Sequence, residues 1–497
     1  MGIFTYFRHT MAESTKTTTA HFKPTLGLLD GTMIVAGSMI GSGIFIVSAD
    51  ITRNVGSAGG LLLVWLITGF MTIAAAVSYG ELSGMFPKAG GQYVYLKEAY
   101  NPLAGFLYGW SFFAVIQTGT IAAVGVAFSK FAAYFFPALE MPSGLKKVPE
   151  NIAFHLFSLN IYWGQVVCIV LIVFLTWVNT RGIESGKWIQ RIFTFTKLFS
   201  LFGLIVLGLV IGASYEVWKH NWTGGWDLKH LITSTDGSLV TGSSPLLGLA
   251  VFGAIAAAMT GSIFSSDAWN NVTFIAGEMK NPKRNIGLSL FLGTLIITII
   301  YVSANIMYLS VMPLDKIATA PQDRVAVAAA DVIFGHMGTY VIAVMIMIST
   351  FGCNNGLILA GARVYYAMAG DGLFFKRAGR LNKSGVPGWA LWAQCFVACV
   401  LCLSGKYGDL LDMISFVAVF FYALTVLGIF VLRRKQPLLE RPYKAFAFPV
   451  LQIVYIVLAL VFCVALIKQK PTFAGWGGGI VLLGIPLYYI ALSRKKA

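Results

Sequence analysis

The run from Gly37 to Phe45 places three glycines and two serines in the middle of an apolar stretch that is otherwise typical of a membrane-spanning helix. A second apolar stretch is interrupted in the same way at Ser265, Ser266 and Asp267. In hydrocarbon, a broken helix leaves N–H and C=O groups unpaired, which is tolerated only where they face protein or a polar cavity. These groups are available to a ligand, and paired interrupted helices indicate the central binding site of a transporter.

The two breaks offer the chemistry needed to bind a zwitterion. The half-helix that begins near Ile44 has a partially positive N-terminus, so the backbone at Ser42 and Gly43 suits a carboxylate. Carbonyl groups that end the preceding half-helices, near Ile40 and Phe264, suit an ammonium. A close crossing of two glycine-rich helices would explain the first break without any ligand. The second break, in the matching half of the chain, favours a binding site for an amino acid.

Two ionisable side chains lie within the predicted spans. Lys197 lies deep in the fifth span, where an unpaired ammonium costs on the order of several kcal/mol. Its ammonium either only holds helices together or takes part in the coupling of transport, and its partner is either Asp267 or backbone carbonyls. Asp267 in turn is predicted to pair with Lys197, to cap the helix that follows, or to contact the substrate. Phe264 and Trp269 are singled out because they flank the second break.

The composition excludes a soluble protein. Of the 497 residues, 57% are hydrophobic and 11% are charged, and the mean hydropathy is +0.76. A soluble domain of this length would need far more charge on its surface. The sequence contains no phosphate-cradling loop and no cluster of acids or histidines typical of a metalloenzyme, so we predict no enzyme, no metal site and no cofactor. The six cysteines lie in apolar stretches and are predicted to pack rather than to form disulfides.

Twelve stretches are long and apolar enough to cross the roughly 30 Å hydrocarbon core, which predicts an all-α polytopic membrane protein with 12 transmembrane helices. The first and sixth are long because they are interrupted, and the third is expected to be strongly tilted. The segments 137–160 and 213–244 are predicted to form turns or short interfacial helices. The spans lie at about 26–53, 60–86, 100–136, 161–180, 188–212, 245–278, 285–311, 338–369, 388–404, 410–432, 446–468 and 472–492.

The distribution of charge predicts the orientation. When the loops alternate from an inner N-terminus, the inner side carries the whole net charge of +16. This asymmetry places both termini in the cytoplasm and the protein in the cytoplasmic membrane. The basic residues are spread over short inner loops, which argues against binding to nucleic acid. The polar start of the chain has no features of a signal peptide, so the first span is expected to serve as the insertion signal.

Four groups of residues resemble the amino acid–polyamine–organocation (APC) superfamily and, within it, the L-type amino-acid transporters. They are 37–45; 79–82 with 87–95; 269–270 with 278–282; and 349–352 with 355–356, 363–369 and 371–372. The resemblance implies a five-plus-five inverted repeat (the LeuT-type fold) plus two C-terminal helices. On this basis we expect a cytoplasmic tail at 1–25, a ten-helix transport core at 26–432, and two helices with a short cytoplasmic tail at 433–497.

The resemblance also implies roles for the residues at the breaks. The substrate carboxylate would bind Ser42, Gly43 and Ile44, and its amino group would lie near Ile40 and Phe264. Phe264 would also act as a gate, and we assign the same expected role to its neighbour across the break, Trp269. Ser265 and Asp267 complete the predicted substrate site.

Sodium-independent transport is a further implication of the resemblance. Lys197 falls where relatives replace a sodium ion with a lysine ammonium, which bridges the first and eighth helices near Gly37 and Ser349. The sequence leaves open whether transport proceeds by exchange or by proton-coupled uptake.

Two departures from the family pattern bear on substrate and partner. Relatives commonly carry small or aromatic residues where this chain has Ser265, Ser266 and Asp267. Because this segment places an acid in the pocket, cationic amino acids or polyamines are an alternative to small or medium neutral amino acids. Mammalian L-type members have a cysteine, after the third helix, that bonds a partner glycoprotein. The segment 137–160 contains no cysteine, so we expect no disulfide-linked heavy subunit. A channel or nutrient receptor on the same scaffold is the alternative from another functional class.

Overall fold

Apolar helices make up most of this chain, because hydrocarbon offers the backbone no partners and a helix satisfies its own N–H and C=O groups. The structure, a computed structural model, describes residues 24–142, 151–156, 159–234, 237–404 and 407–496. The predicted tail at 1–25 therefore lies almost entirely outside the described residues. Within these ranges, nine helices are long and apolar enough to cross a membrane, and shorter apolar helices accompany them.

The helices are α1 Leu28–Met39, α2 Ser48–Val55, α3 Ala58–Met85, α4 Gln92–Ala99, α5 Pro102–Ala132, α6 Trp163–Thr180, α7 Ile183–Leu207, α8 Tyr215–Trp222, α9 Leu249–Ser265, α10 Asn271–Phe274, α11 Pro282–Val311, α12 Leu314–Ala318, α13 Val325–Phe334, α14 His336–Gly370, α15 Gly388–Ser404, α16 Tyr407–Lys435, α17 Val450–Gln469 and α18 Pro471–Lys496. The predicted first span is α1 and α2 with a break between them, and the sixth is α9 and α10. The other ten spans correspond to α3, α5, α6, α7, α11 and α14 to α18. The prediction of an all-α polytopic membrane protein is confirmed.

The connecting segments differ from the prediction. Two antiparallel strand pairs occur where only turns or short helices were expected: β1 Ile152–Leu156 with β2 Leu159–Tyr162, and β3 Lys229–Thr233 with β4 Val240–Pro245. The short helix α8 agrees with the prediction. Each strand pair is joined by a short connection, so it can satisfy its ladder locally without belonging to a larger sheet. Helices α12 and α13, between the seventh and eighth spans, were not predicted.

Small residues allow the first span to pack tightly on the seventh. A Cβ atom at Gly31 of α1 would lie 2.3 Å from the Ser289 hydroxyl of α11, so only glycine fits at this crossing. Close backbone approach at small residues is the usual means of helix association in membranes. This contact holds α1, and the break that follows it, against α11.

Ion pairs join neighbouring segments at both ends of the bundle. At one end, Arg53 of α2 lies 2.8 Å from the carboxylate of Asp323, in the turn between α12 and α13. At the other, Arg363 of α14 lies 3.1 Å from the buried carboxylate of Glu278, and the N–H of Leu26 donates to the carbonyl of Glu278 at 3.0 Å. We refer to these as the Arg53 end and the Glu278 end. The two breaks lie between them.

Candidate functional site

The first break presents unpaired backbone N–H groups in the middle of the bundle. Helix α1 ends at Met39, and a single 3₁₀ turn precedes α2. Among the residues that the structure describes, no hydrogen-bond acceptor lies within reach of the N–H groups of Ser42, Gly43 and Ile44. All three residues are buried. Because unpaired buried donors are costly, the arrangement suits an anionic ligand such as a carboxylate.

The second break lies directly against the first. Helix α9 ends at Ser265, and the chain turns through Ala268, which has a positive φ of 61°, before α10 begins. A Cβ atom at Gly43 would lie 1.9 Å from the Ser265 hydroxyl, so this contact requires glycine. The sequence therefore predicted correctly that these two interrupted segments meet.

Tyr301 of α11 connects the two breaks and was not predicted. Its hydroxyl donates to the carbonyl of Met39 at 2.9 Å and lies 3.0 Å from the carbonyl of Ser265. These carbonyls belong to the last turns of α1 and α9. One buried hydroxyl therefore binds the ends of both half-helices.

Lys197 of α7 binds the unwound end of α1. Its ammonium donates to the carbonyls of Gly37 and Ile40, the latter at 2.9 Å, and the residue is fully buried. From α14, the Ser349 hydroxyl donates to the same Ile40 carbonyl at 3.4 Å, and the Cys353 thiol lies 3.3 Å from the carbonyl of Ser38. The structure thus brings Lys197 together with Gly37 and Ser349, and adds Cys353, which the sequence did not indicate. A cation suits this position because the C-terminal carbonyls of a helix carry partial negative charge.

The two carbonyls predicted to bind the substrate ammonium already accept hydrogen bonds, from different groups. That of Ile40 already accepts from Lys197 and from Ser349, which uses both of its lone pairs. That of Phe264 accepts hydrogen bonds from the N–H groups of Ser266 and Asp267, the latter at 3.1 Å. Both carbonyls are therefore already in use, Ile40 by side chains and Phe264 by the backbone.

The two predicted gating residues lie in different surroundings. The ring of Phe264 packs edge-on against Tyr407 of α16, with 6.0 Å between ring centres. The Tyr407 hydroxyl lies 3.0 Å from the Ser42 hydroxyl, so Phe264 and Tyr407 together flank the first break. Trp269 instead packs against Tyr79 and Tyr422, at 4.7 and 5.4 Å between ring centres. Whether either residue opens and closes a path stays a prediction.

Asp267 has neither of the structural partners that the sequence suggested. Its carboxylate accepts a hydrogen bond from the Tyr422 hydroxyl, and in the described part of the chain it makes no ion pair. Of the two partners that the sequence left open for Lys197, the backbone carbonyls of α1 bind its ammonium, and Asp267 does not. It does not cap α10 either, since the residue at that position is Asn270.

Asp267 faces a small cavity away from the first break. This cavity has a volume of about 20 Å³ and lies between α3, α9, α16 and α17. Thr68, Thr72 and Tyr455 are among its lining residues. None of the lining residues belongs to α1 or α2. The carboxylate thus faces a cavity that neither half of the first span lines.

Known proteins resemble this chain over nearly its whole length. The family model described as "Amino acid permease" matches residues 26–491. The human protein named "Large neutral amino acids transporter small subunit 2" is 29% identical over 478 residues, which cover 95% of this chain and 81% of that protein. The mouse "b(0,+)-type amino acid transporter 1" is 28% identical over 485 residues, which cover 97% of this chain and 91% of that protein. Among the described residues, no group of three or more His, Cys, Asp or Glu could hold a metal ion.

Proposed function

Since the chain belongs to the amino acid permease family, we propose that it moves small to medium neutral L-amino acids across the cytoplasmic membrane without sodium. It is a multi-pass membrane transporter, not an enzyme, and its relatives are amino-acid transporters. In the proposed cycle the protein opens alternately at its two ends, by exchange or with a coupled proton. No cofactor takes part.

The arrangement of the first break carries this proposal. Three buried N–H groups, at Ser42, Gly43 and Ile44, donate to no acceptor among the described residues and can bind the α-carboxylate, with the α-ammonium near the carbonyl of Phe264. The ammonium of Lys197 occupies the carbonyls at the end of α1 that a sodium ion would otherwise need. A fixed positive charge at that position supports a sodium-independent cycle.

The position of Asp267 supports neutral substrates. A carboxylate that bound the cationic side chain of a substrate would have to face the space beside the first break. Asp267 instead binds Tyr422 and faces the cavity between α3, α16 and α17. Cationic amino acids or polyamines remain the alternative, and they require this carboxylate to turn toward the substrate.

A carrier is favoured over a channel because both ends of the bundle are joined by ion pairs in the same structure. We further propose both termini in the cytoplasm, a transport core at 26–432 and two C-terminal helices at 433–497. The human relative is named a small subunit. We propose that this chain works without a disulfide-linked heavy subunit, because its cysteines all lie in α6, α14, α15 and α17.

Counterflow in proteoliposomes tests the proposal. The full chain is reconstituted, the vesicles are preloaded with one amino acid at a time, and uptake of labelled amino acid is measured with sodium or with choline outside. We expect saturable uptake that an internal neutral amino acid accelerates, at equal rates in sodium and choline. A non-saturating flux would support a channel, and a requirement for sodium would contradict the proposed role of Lys197.

A further inference from the structure

At the Arg53 end, one carboxylate lies between two cations from different helices. Asp323 accepts from Arg53 of α2 at 2.8 Å through one oxygen, and its other oxygen lies 3.5 Å from the ammonium of Lys130 of α5. The Lys130 side chain is only 15% exposed. Asp323 is its only acidic partner among the described residues. A carboxylate is thus bound by two charges that converge on it.

The segment that supplies this carboxylate is held in an unfavourable backbone conformation. Gln322 and Asp323 have φ values of 54° and 57°, in the left-handed region that residues with a side chain seldom adopt. Such a conformation persists where surrounding contacts maintain it. The two ion pairs of Asp323 are such contacts, so the turn at 321–323 is expected to relax when they part.

One of these two cations, Lys130, is linked to the first break through Tyr407. The Lys130 ammonium is 6.0 Å from the centre of the Tyr407 ring, and the Tyr407 hydroxyl is 3.0 Å from the Ser42 hydroxyl. Tyr407 therefore lies between the Lys130 ammonium and Ser42 of the first break. Both positions suit the same chemical group, a carboxylate.

We propose that Lys130 and Arg53 form an entry site for the α-carboxylate of the amino acid, which Asp323 occupies whenever this end is closed. The inference rests on the proposed function. The entering carboxylate displaces that of Asp323 from the two cations and then passes Tyr407 to reach the N–H groups of the first break. Because substrate and Asp323 compete for the same charges, binding of the substrate favours the open state of this end.

With both termini in the cytoplasm, as proposed above, the first span runs outward and the Arg53 end faces outside, so external affinity tests the entry site. The assay uses the full chain in proteoliposomes that contain an amino acid exchanged by the wild type. Lys130→Gln removes one charge-assisted hydrogen bond to the entering carboxylate, so we expect the external KM to rise about tenfold. Asp323→Asn removes the competitor, so the external KM is expected to fall. Lys316→Gln removes an exposed lysine from α12 at the same end and should leave the external KM unchanged.

Opposite shifts of KM in the two variants would support the entry site. If these residues merely hold the end closed, Lys130→Gln and Asp323→Asn break the same contact and shift the external KM in the same direction, which would overturn the proposal. If Lys130→Gln fails to insert, a fall of KM in Asp323→Asn supports the entry site, and an unchanged or raised KM rejects it.

The dependence of the external KM on ionic strength tests the entry site on the wild type alone. The two cations attract the carboxylate over a distance that salt screens, since the Debye length shrinks to about 10 Å at 0.1 M salt. We therefore expect the external KM to rise with ionic strength while the saturated rate stays constant, and a KM independent of salt contradicts the entry site. A wild type that exchanges no amino acid in these vesicles refutes the proposed function instead, so the two failures are distinguishable.

Discussion

Replacement of Lys197 by alanine is the most direct perturbation of the proposed site. The substitution removes the ammonium that binds the carbonyls of Gly37 and Ile40. The Ile40 carbonyl keeps the Ser349 hydroxyl, at 3.4 Å, whereas that of Gly37 is left without this donor in a buried position. Each hydrogen bond to a charged group contributes about 1.5–3 kcal/mol. The loss of two such bonds is therefore expected to destabilise this arrangement of the first break by about 3 kcal/mol or more.

An energy of this size corresponds to a fall of roughly 100-fold in the population of the competent state, since each 1.4 kcal/mol is a factor of ten. Counterflow is measured in proteoliposomes and normalised to the amount of inserted protein. Lys197→Ala should lose about this factor in saturated exchange. Lys468→Ala, which removes an exposed lysine near the end of α17, serves as the matched control and should retain wild-type exchange.

Sodium gives the experiment a second readout. Without the lysine side chain, the carbonyl oxygens of Gly37 and Ile40 and the hydroxyl of Ser349 surround an unfilled space, and such oxygen ligands suit a hard cation. We expect sodium to restore part of the exchange of Lys197→Ala and to leave the wild type unaffected. Exchange by Lys197→Ala at close to the wild-type rate in choline would refute the reasoning, because the ammonium would then be dispensable.

Other contacts give further predictions. Tyr301→Phe removes the hydroxyl that lies between the carbonyls of Met39 and Ser265, at a cost of about 1–3 kcal/mol, and should slow counterflow roughly tenfold; an unchanged rate would mean that the hydroxyl does not hold the breaks together. Asp267→Asn should change the KM of neutral amino acids little, and a selective loss of affinity for cationic ones would show that the acid reads the side chain. Arg363→Met leaves a buried carboxylate unpaired and should lower the free energy of unfolding by about 3–5 kcal/mol, whereas Lys283→Met, at an exposed pair, should cost under about 1 kcal/mol; thermal unfolding in detergent compares them. Burial raises the pKa of the Asp323 carboxyl, but the charges of Lys130 and Arg53 outweigh burial and hold that pKa below its ordinary value of 3.8. Its contribution to stability is therefore present above this value and lost as the pH falls below it, which a pH series of melting temperatures will check.

Residues that are anomalous in an apolar helix could be found from the sequence. A lysine in a hydrophobic span, such as Lys197, requires a partner wherever it lies, and glycines and serines in such a span indicate a break. The two breaks and the buried lysine were located in this way. Tyr301 and Tyr422 gave no such signal, because a tyrosine ring is apolar enough to be ordinary in a span. Their partners lie 262 and 155 residues away, beyond any local pattern.

The connecting segments show a different limit. Turn-forming composition at 213–244 predicted turns and short helices, and the structure adds the strand pair β3–β4. The pair Asp236-Gly237 in the sequence is a hairpin signal that would have predicted these strands. For Asp267, by contrast, three roles were compatible with the sequence. The choice among them depended on which side of α9 faces the first break, which periodicity cannot determine in a helix buried on several sides.

The contacts of the first span explain how one break could serve two gates. Near the Glu278 end, the chain that leads into α1 is bound through Leu26 to the segment after α10. Near the Arg53 end, α2 is bound through its arginine to the carbonyl of Ala318 and to the carboxylate of Asp323. The two halves are therefore bound to different neighbours, and among the described residues the N–H groups of Ser42 and Gly43 donate no hydrogen bond that a change of angle would have to disrupt. Either half can part from its neighbours while the other keeps its contacts, which is the mechanical requirement of alternating access.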